Sequence, residues 1–228
     1  MNVLSLFDGC SGGQVALQRA GIHVDNYFAS EIDKYAIKVT QANFPNTIQL
    51  GDVTQVKPNE RGMGVDYALD YDPPIDLLMG GSPCQGFSFA GHQLNFDDPR
   101  SKLFFDFIRI RDECMPKYVL LENVRMAKKS QDVISDYMGF EPQALNSKYV
   151  SAQNRYRLYW FGKRVGDNYE QITIPPMICK GLTMQDILED GYATDEMTSQ
   201  DGKSHCLTAR YNGAVWWNSI ERKQRTMV

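Results

Sequence analysis

At 228 residues the chain is long enough for one α/β domain with a sizeable core and a small appendage. It has no apolar run of membrane-spanning length and no positively charged leader before an apolar segment, which excludes a helical membrane protein and reads as soluble and cytoplasmic. Five widely spaced cysteines without a Cys-x-x-Cys pair exclude a disulfide framework and a zinc site, and a net charge of −4 does not by itself point to nucleic acid.

Asn2-Val3-Leu4-Ser5-Leu6-Phe7 reads as a buried first strand. Asp8-Gly9-Cys10-Ser11-Gly12-Gly13 then makes a tight turn, and Gln14 to Ala20 opens a helix that stops at Gly21. Strand, glycine turn and helix form a cofactor cradle: glycines let backbone approach a ligand closely, and a helix amino terminus favours negative charge. A second strand, Val24 to Ala29, ends at Ser30-Glu31-Ile32-Asp33, placing an acid where nucleotide-binding folds reach ribose hydroxyls. The absence of a Gly-x-Gly-x-x-Gly run argues against a nicotinamide dinucleotide. Lys34 to Asn43 is helical, and a short strand Ile48-Gln49-Leu50 is tipped by Gly51-Asp52; Asp52 fits either a ligand-binding tip or a cap on a following turn.

Residues 53 to 74 read as a polar surface excursion. Ile75 to Met79 is a further strand, and Gly80-Gly81-Ser82-Pro83-Cys84-Gln85-Gly86-Phe87-Ser88 leaves its carboxyl end, where ligands bind in open α/β sheets. Cys84 sits among loop formers that do not build a core, so it reads as a reactive thiol. Gln85 to Arg100 combines glycine hinges with Phe87, Phe89 and Phe96 and fits a lid. A helix from Ser101-Lys102 to Met115-Pro116 carries Leu103, Phe107 and Ile110 on its apolar face. The apolar strand Tyr118 to Leu121 runs into Glu122-Asn123-Val124, and a helix over Ser130 to Met138 is stopped by Gly139. If the two strands are adjacent and parallel, Cys84 and Glu122 share one crevice.

Gln153-Asn154-Arg155-Tyr156-Arg157 runs into a strand over Leu158 to Phe161, and two arginines at alternate strand positions face the same way. From Val165 the pattern changes: Pro175-Pro176 and an acidic stretch to Asp201 mark a boundary, with one short helix over Gly181 to Leu188. The tail beyond is basic and aromatic, with Arg210, Tyr211, Asn212, Trp216, Trp217 and Asn218, residue types suited to phosphate and base-edge contacts.

Pro83-Cys84, Glu122-Asn123-Val124 and the Gln153-x-Arg155-x-Arg157 run, in this order, resemble the signature of the DNA cytosine-5 methyltransferases, as Phe7 to Gly13 resembles the family's cofactor motif. The resemblance implies an S-adenosylmethionine-dependent, Rossmann-like mixed α/β sheet over residues 1–164, and a partial target-recognition region over 165–228. It implies Cys84 as nucleophile, with Glu122, Arg155 and Arg157 catalytic. Phe7 would lie against the adenine, with Asp8, Gly9, Ser11, Gly12 and Gly13 near the methionine part. Glu31 beside Ile32 would take the ribose, Asp52 beside Val53 the adenine amino group, and Pro83 and Leu103 would line the same pocket. Pro83, Gln85, Ser88, Asn123, Val124 and Gln153 would touch substrate, a flipped-out cytosine in double-stranded DNA. S-adenosylhomocysteine would be the product, in a bacterial cell or phage-infected host, without metal or membrane.

Two departures stand out. Tyr156 replaces a frequent glutamate, and the family's final segment with its Gly-Asn-x-Val-like motif is absent, so the chain is expected to be either a truncated piece or one completed by a separate C-terminal fragment, and otherwise a monomer. Asp72-Pro73-Pro74 resembles the tetrapeptide of amino-group methyltransferases, but Ile75 stands where an aromatic residue must stack on the base, so it reads as a turn. An RNA cytosine-5 methyltransferase and a catalytically inactive remnant that binds DNA or cofactor are the alternative readings.

Overall fold

The computed structural model describes residues 1–57, 74–82, 99–188, 198–199 and 201–204. The chain divides into two compact units, Met1–Gln143 with Leu158–Thr173, and Ala144–Arg157 with Ile174–Val228. The boundary expected at 165 falls instead inside a hairpin of the first unit, and the second unit also takes in residues 144–157, which carry the arginine motif.

Four strands carry the first unit: β1 (Asn2–Leu6), β2 (Asn26–Ser30), β4 (Leu77–Gly80) and β5 (Tyr118–Val124). With β3 (Ile48–Gln49), β6 (Gln143–Asn146) and β7 (Tyr156–Val165) the sheet order is β3-β2-β1-β4-β5-β7-β6, and β8 (Asn168–Gln171) pairs antiparallel with β7. The pairs from β3 across to β5 are parallel. The chain builds outward from β1 through β2 to β3, then returns to the other side of β1 for β4 and β5, so the order reverses between β1 and β4. A mixed α/β sheet with such a switch point is the expected architecture.

The central strands are apolar on both faces because both are covered. On one face Val3, Tyr27, Ala29, Leu77 and Met79 pack with Leu17 of helix α1 (Gly12–Arg19). On the other, Leu4, Leu6, Phe28, Leu78, Val119 and Leu121 pack with Phe104, Phe107 and Ile110 of α3 (Pro99–Cys114) and with Ile134 and Met138 of α4 (Lys128–Met138). Phe107 and Ile110 are fully buried as expected, Leu103 is partly buried against the same core, and Phe104 is fully buried beside them. Helix α2 (Lys34–Asn43) is capped by Asp33, whose carboxylate accepts from the Tyr35 and Ala36 amides.

Strand β2 begins at Asn26 rather than Val24 because its partner β1 begins at Asn2, which pairs with Asn26; just ahead of it the Asp25 carboxylate takes the Met1 ammonium at 2.5 Å. The short helix expected over 181–188 reduces to a 3-10 turn, Gln185–Ile187. There Asp186 accepts from the Thr183 amide and hydroxyl, both at 2.7 Å, capping the start of that single turn. Among the described residues no helix is long and apolar enough to cross a membrane, and no cluster of His, Cys, Asp and Glu could hold a metal ion.

Candidate active site

Because β1, β2, β4 and β5 are parallel, their carboxyl ends line one edge of the sheet. The loop leaving β1 takes an unusual path: Phe7, Gly9 and Ser11 have φ of 57°, 60° and 57°. Left-handed backbone costs a non-glycine residue about 1–2 kcal/mol, so Phe7 and Ser11 need compensation. It comes from a buried polar network. The Asp8 carboxylate accepts from the Tyr27 hydroxyl at 2.7 Å on one oxygen and from the Ser11 hydroxyl on the other. Ser11 Oγ in turn accepts from Thr40 at 3.1 Å and from the Gln14 amide at 3.2 Å. Burial first, and then the Asp8 charge, push the Tyr27 hydroxyl up, so it remains a donor.

Glu31 pins the same loop from β2: one carboxylate oxygen accepts from the Gly9 amide at 2.8 Å, the other from the Ile32 and Asp33 amides at 2.8 and 2.9 Å. Ile32 beside it is 76% exposed. Gly13 is required by packing, since a Cβ there would lie 2.5 Å from Met79 Sδ and 2.8 Å from the Tyr27 hydroxyl. At Gly9 and Gly12 a Cβ would meet nothing within 4 Å, so the backbone opens onto free space. Asp52 caps the 3-10 turn Val53–Gln55, accepting from the Thr54 amide and hydroxyl, each at 2.9 Å. The Val53 side chain is buried in the core, and Leu103 packs against that core.

The register of β4 on β5 pairs Gly80 with Leu121 and brings the following residue, Gly81, alongside Glu122. A Cβ on Gly81 would lie 3.0 Å from Glu122 Oε2. One residue on, Ser82 is buried, and the Asn123 amide donates to its hydroxyl at 3.3 Å and to its carbonyl at 3.4 Å. Asn123 is itself buried and accepts from the Val124 amide, so its side chain serves the loop root. Pro83, Cys84, Gln85, Ser88 and nearly all of the expected lid lie outside the described residues, as do the basic tail and most of the excursion at 53–74.

In the second unit β7 starts at Tyr156, so Arg155 precedes the strand. The Asn146 side chain accepts from the Arg155 amide at 3.2 Å and donates to Asn154 Oδ1 at 2.9 Å, and the Ser147 hydroxyl donates to the Gln153 carbonyl at 2.7 Å. Residues 203–204 pair alongside: Asn154 N donates to Ser204 O at 2.9 Å and Ser204 N to Ala152 O at 2.7 Å. Buried Lys203 caps the Ser151 and Leu182 carbonyls.

A family model described as C-5 cytosine-specific DNA methylase matches residues 1–226. The chain belongs to that family. A type II methyltransferase of Escherichia coli, M.Eco47II, is 35% identical over 221 residues, 88% of this chain and 49% of that protein. The orphan methyltransferase M.SPRI of Bacillus phage SPR is 35% identical over 182 residues, 72% of this chain and 38% of that protein. A solved E. coli structure, described as a prophage-encoded DNA modification methyltransferase, superposes with a TM-score of 0.57 at 31% identity, covering 72% of this chain and 47% of that one. The chain thus spans half or less of the length of these family members.

Among the described cysteines, burial pushes the Cys114 thiol up to about 12, leaving it inert at neutral pH, whereas Cys10 and Cys179 are exposed on the surface. Sequence reasoning passed over Tyr27, Thr40, Gln14 and Ser82. Tyr27 reads as one more apolar strand residue, and nothing near it in sequence marks its bond to Asp8.

The Gly81–Glu122 approach gives a direct prediction. Gly81→Ala puts a methyl group 3.0 Å from the Glu122 carboxylate, which must give by a few tenths of an ångström; if that carboxylate acts on a substrate, where a misplacement of about 1 Å costs about 100-fold in rate, the smaller shift costs several-fold. Any activity that uses the Glu122 carboxylate is then expected to fall by roughly 3- to 10-fold with the melting temperature little changed. An unchanged rate would show that the carboxylate position is immaterial.

Proposed function

We propose that the chain carries the catalytic region of a DNA cytosine-5 methyltransferase, acting on a cytosine extruded from double-stranded DNA. The observation that carries this reading is the strand register that sets Glu122 against Gly81, three residues before Cys84. A nucleophile and an acid on adjoining strand ends, beside a glycine loop, are the parts that cytosine chemistry requires.

S-adenosylmethionine, when bound, supplies the electrophilic methyl group. The residues suit it: open backbone at Gly9 and Gly12 admits close approach, and exposed Ile32 beside Glu31 offers an apolar surface next to a carboxylate, as an adenosine needs. Phe7, Asp52 and Leu103 complete the proposed pocket.

Carbon 5 of cytosine is too weakly nucleophilic to take the methyl group unaided. The Cys84 thiolate forms a bond to carbon 6, raising electron density at carbon 5, which then takes the methyl group. A base removes the carbon 5 proton, the carbon–sulfur bond breaks, and aromaticity and the thiolate are restored. Glu122 holds N3 and the exocyclic amino group as charge develops on the ring. Arg155 and Arg157 hold the base oxygen, and Gln153 supports them. Because carbon 6 is shielded inside a duplex, the cytosine must leave the stack. The second unit, from Ile174 onward, is read as the beginning of target recognition.

Denaturant-resistant trapping tests this reading. Duplexes carrying 5-fluorocytosine, incubated with the chain and S-adenosylmethionine, are expected to yield a covalent methylated adduct, because fluorine cannot leave as a proton does. Cys84→Ser is expected to abolish it. An adduct formed with transfer RNA but not with duplex DNA would move the assignment to RNA, and none with either would favour an inactive remnant.

A further inference from the structure

Asp8 looks like a cofactor ligand from its place in the glycine turn, but both of its carboxylate oxygens are occupied from inside the protein, by the Tyr27 and Ser11 hydroxyls. Tyr27 is 4% exposed and Thr40 1%. They come from different elements, β2 and α2, and converge on the Asp8–Ser11 pair, in a loop where Phe7, Gly9 and Ser11 have left-handed backbone.

Packing fixes the two ends of the loop, Phe7 against the core and Gly13 against Met79 and Tyr27. Beside the network is a cavity of about 290 Å³ lined by Gln14, Tyr27, Phe44 and Thr47 among others, and the Gln14 amide spans from Ser11 Oγ at 3.2 Å to Thr47 Oγ1 at 2.7 Å. Between those ends, directional hydrogen bonds set the conformation at Asp8 and Ser11.

We propose that Tyr27 and Thr40 are positioning residues for the cofactor: through Asp8 and Ser11 they preset the Phe7–Gly13 loop in the form that receives S-adenosylmethionine. The proposal rests on reading that loop as the cofactor cradle. Its physical content is preorganisation: a loop already held in its strained form need not be ordered when ligand arrives. Neither side chain has to touch the ligand, and the hydroxyls matter rather than the bulk of the side chains.

Isothermal titration with S-adenosylmethionine, well below the melting temperature, tests it in Tyr27→Phe, Thr40→Val and the double variant. Both substitutions keep shape and remove the hydroxyl. Each single variant is expected to raise Kd about tenfold, while the double variant falls short of the hundredfold expected of independent sites, because both act through one Asp8–Ser11 pair. Melting temperature is recorded alongside. Wild-type affinity in both single variants overturns the proposal, as does a lowered melting temperature with unchanged Kd, which marks a purely structural role. Failure of the wild-type chain to bind S-adenosylmethionine overturns the cofactor reading and this inference together. Intact binding with no 5-fluorocytosine adduct counts against the cytosine chemistry alone.

Discussion

Glu122→Gln is expected to lower the rate of methyl transfer by about 10²- to 10⁴-fold while leaving affinity for S-adenosylmethionine within about twofold. The substitution is nearly isosteric, so it probes charge and proton-accepting capacity rather than space. A carboxylate accepts from the cytosine amino group and, when protonated, donates to N3; the glutamine amide can make both hydrogen bonds, but it cannot hand a proton to N3 and carries no charge. The half-buried Glu122 carboxylate has little freedom to compensate, because backbone at Gly81 passes close enough for a Cβ there to fall 3.0 Å from Oε2. Single-turnover transfer of labelled methyl groups to duplex DNA at saturating cofactor gives the rate directly. A loss below threefold would remove Glu122 from the chemistry and leave it a structural neighbour of the Cys84 loop.

The comparison with Gly81→Ala separates two ways of damaging the same group. Alanine at 81 leaves the charge and moves it, whereas glutamine at 122 leaves the position and removes the charge. If Glu122 acts as proposed, the second lesion costs more.

The edge where these residues sit was legible in the sequence because the central strands are covered on both faces. Asn2–Leu6, Leu77–Gly80 and Tyr118–Val124 are short apolar runs that stop abruptly at glycine or polar residues, and parallel pairing then gathers the stops. What depended on distant partners was not legible. Nothing around Val24 announces that the pairing with β1 starts at Asn26, opposite Asn2, which removes the first two residues from the expected strand. Asp52 illustrates a different limit: a strand-end acid and a capping acid look alike in sequence, and here the carboxylate caps the turn that begins at Val53. Arg155 and Arg157 alternate as expected, but the strand starts between them, because Asn146 and Ser147 engage the backbone of Arg155 and its predecessors.

The largest effect on stability is expected at Trp160. It is fully buried on β7, in the cluster that includes Ile134 and Met138 of α4, and its indole N–H donates to the Ser135 hydroxyl at 3.1 Å. That hydroxyl donates in turn to Glu141 at 3.3 Å, so one side chain both fills the space under α4 and anchors a polar chain along it. Trp160→Ala removes the ring and leaves a cavity that rigid strand and helix backbones cannot close, a change costing about 3–5 kcal/mol. At about 2–4 °C per kcal/mol for a chain of this size, the melting temperature should fall by roughly 6–20 °C. Trp160→Phe keeps most of the volume and gives up the hydrogen bond, worth about 0.5–1.5 kcal/mol, so it should melt only a few degrees below wild type. Far-UV circular dichroism melts of the three proteins make the comparison. If the alanine variant melts within 2 °C of wild type, α4 is held by something other than this ring. If the phenylalanine variant falls as far as the alanine one, the Ser135–Glu141 chain, not the buried surface, fastens α4 to the sheet.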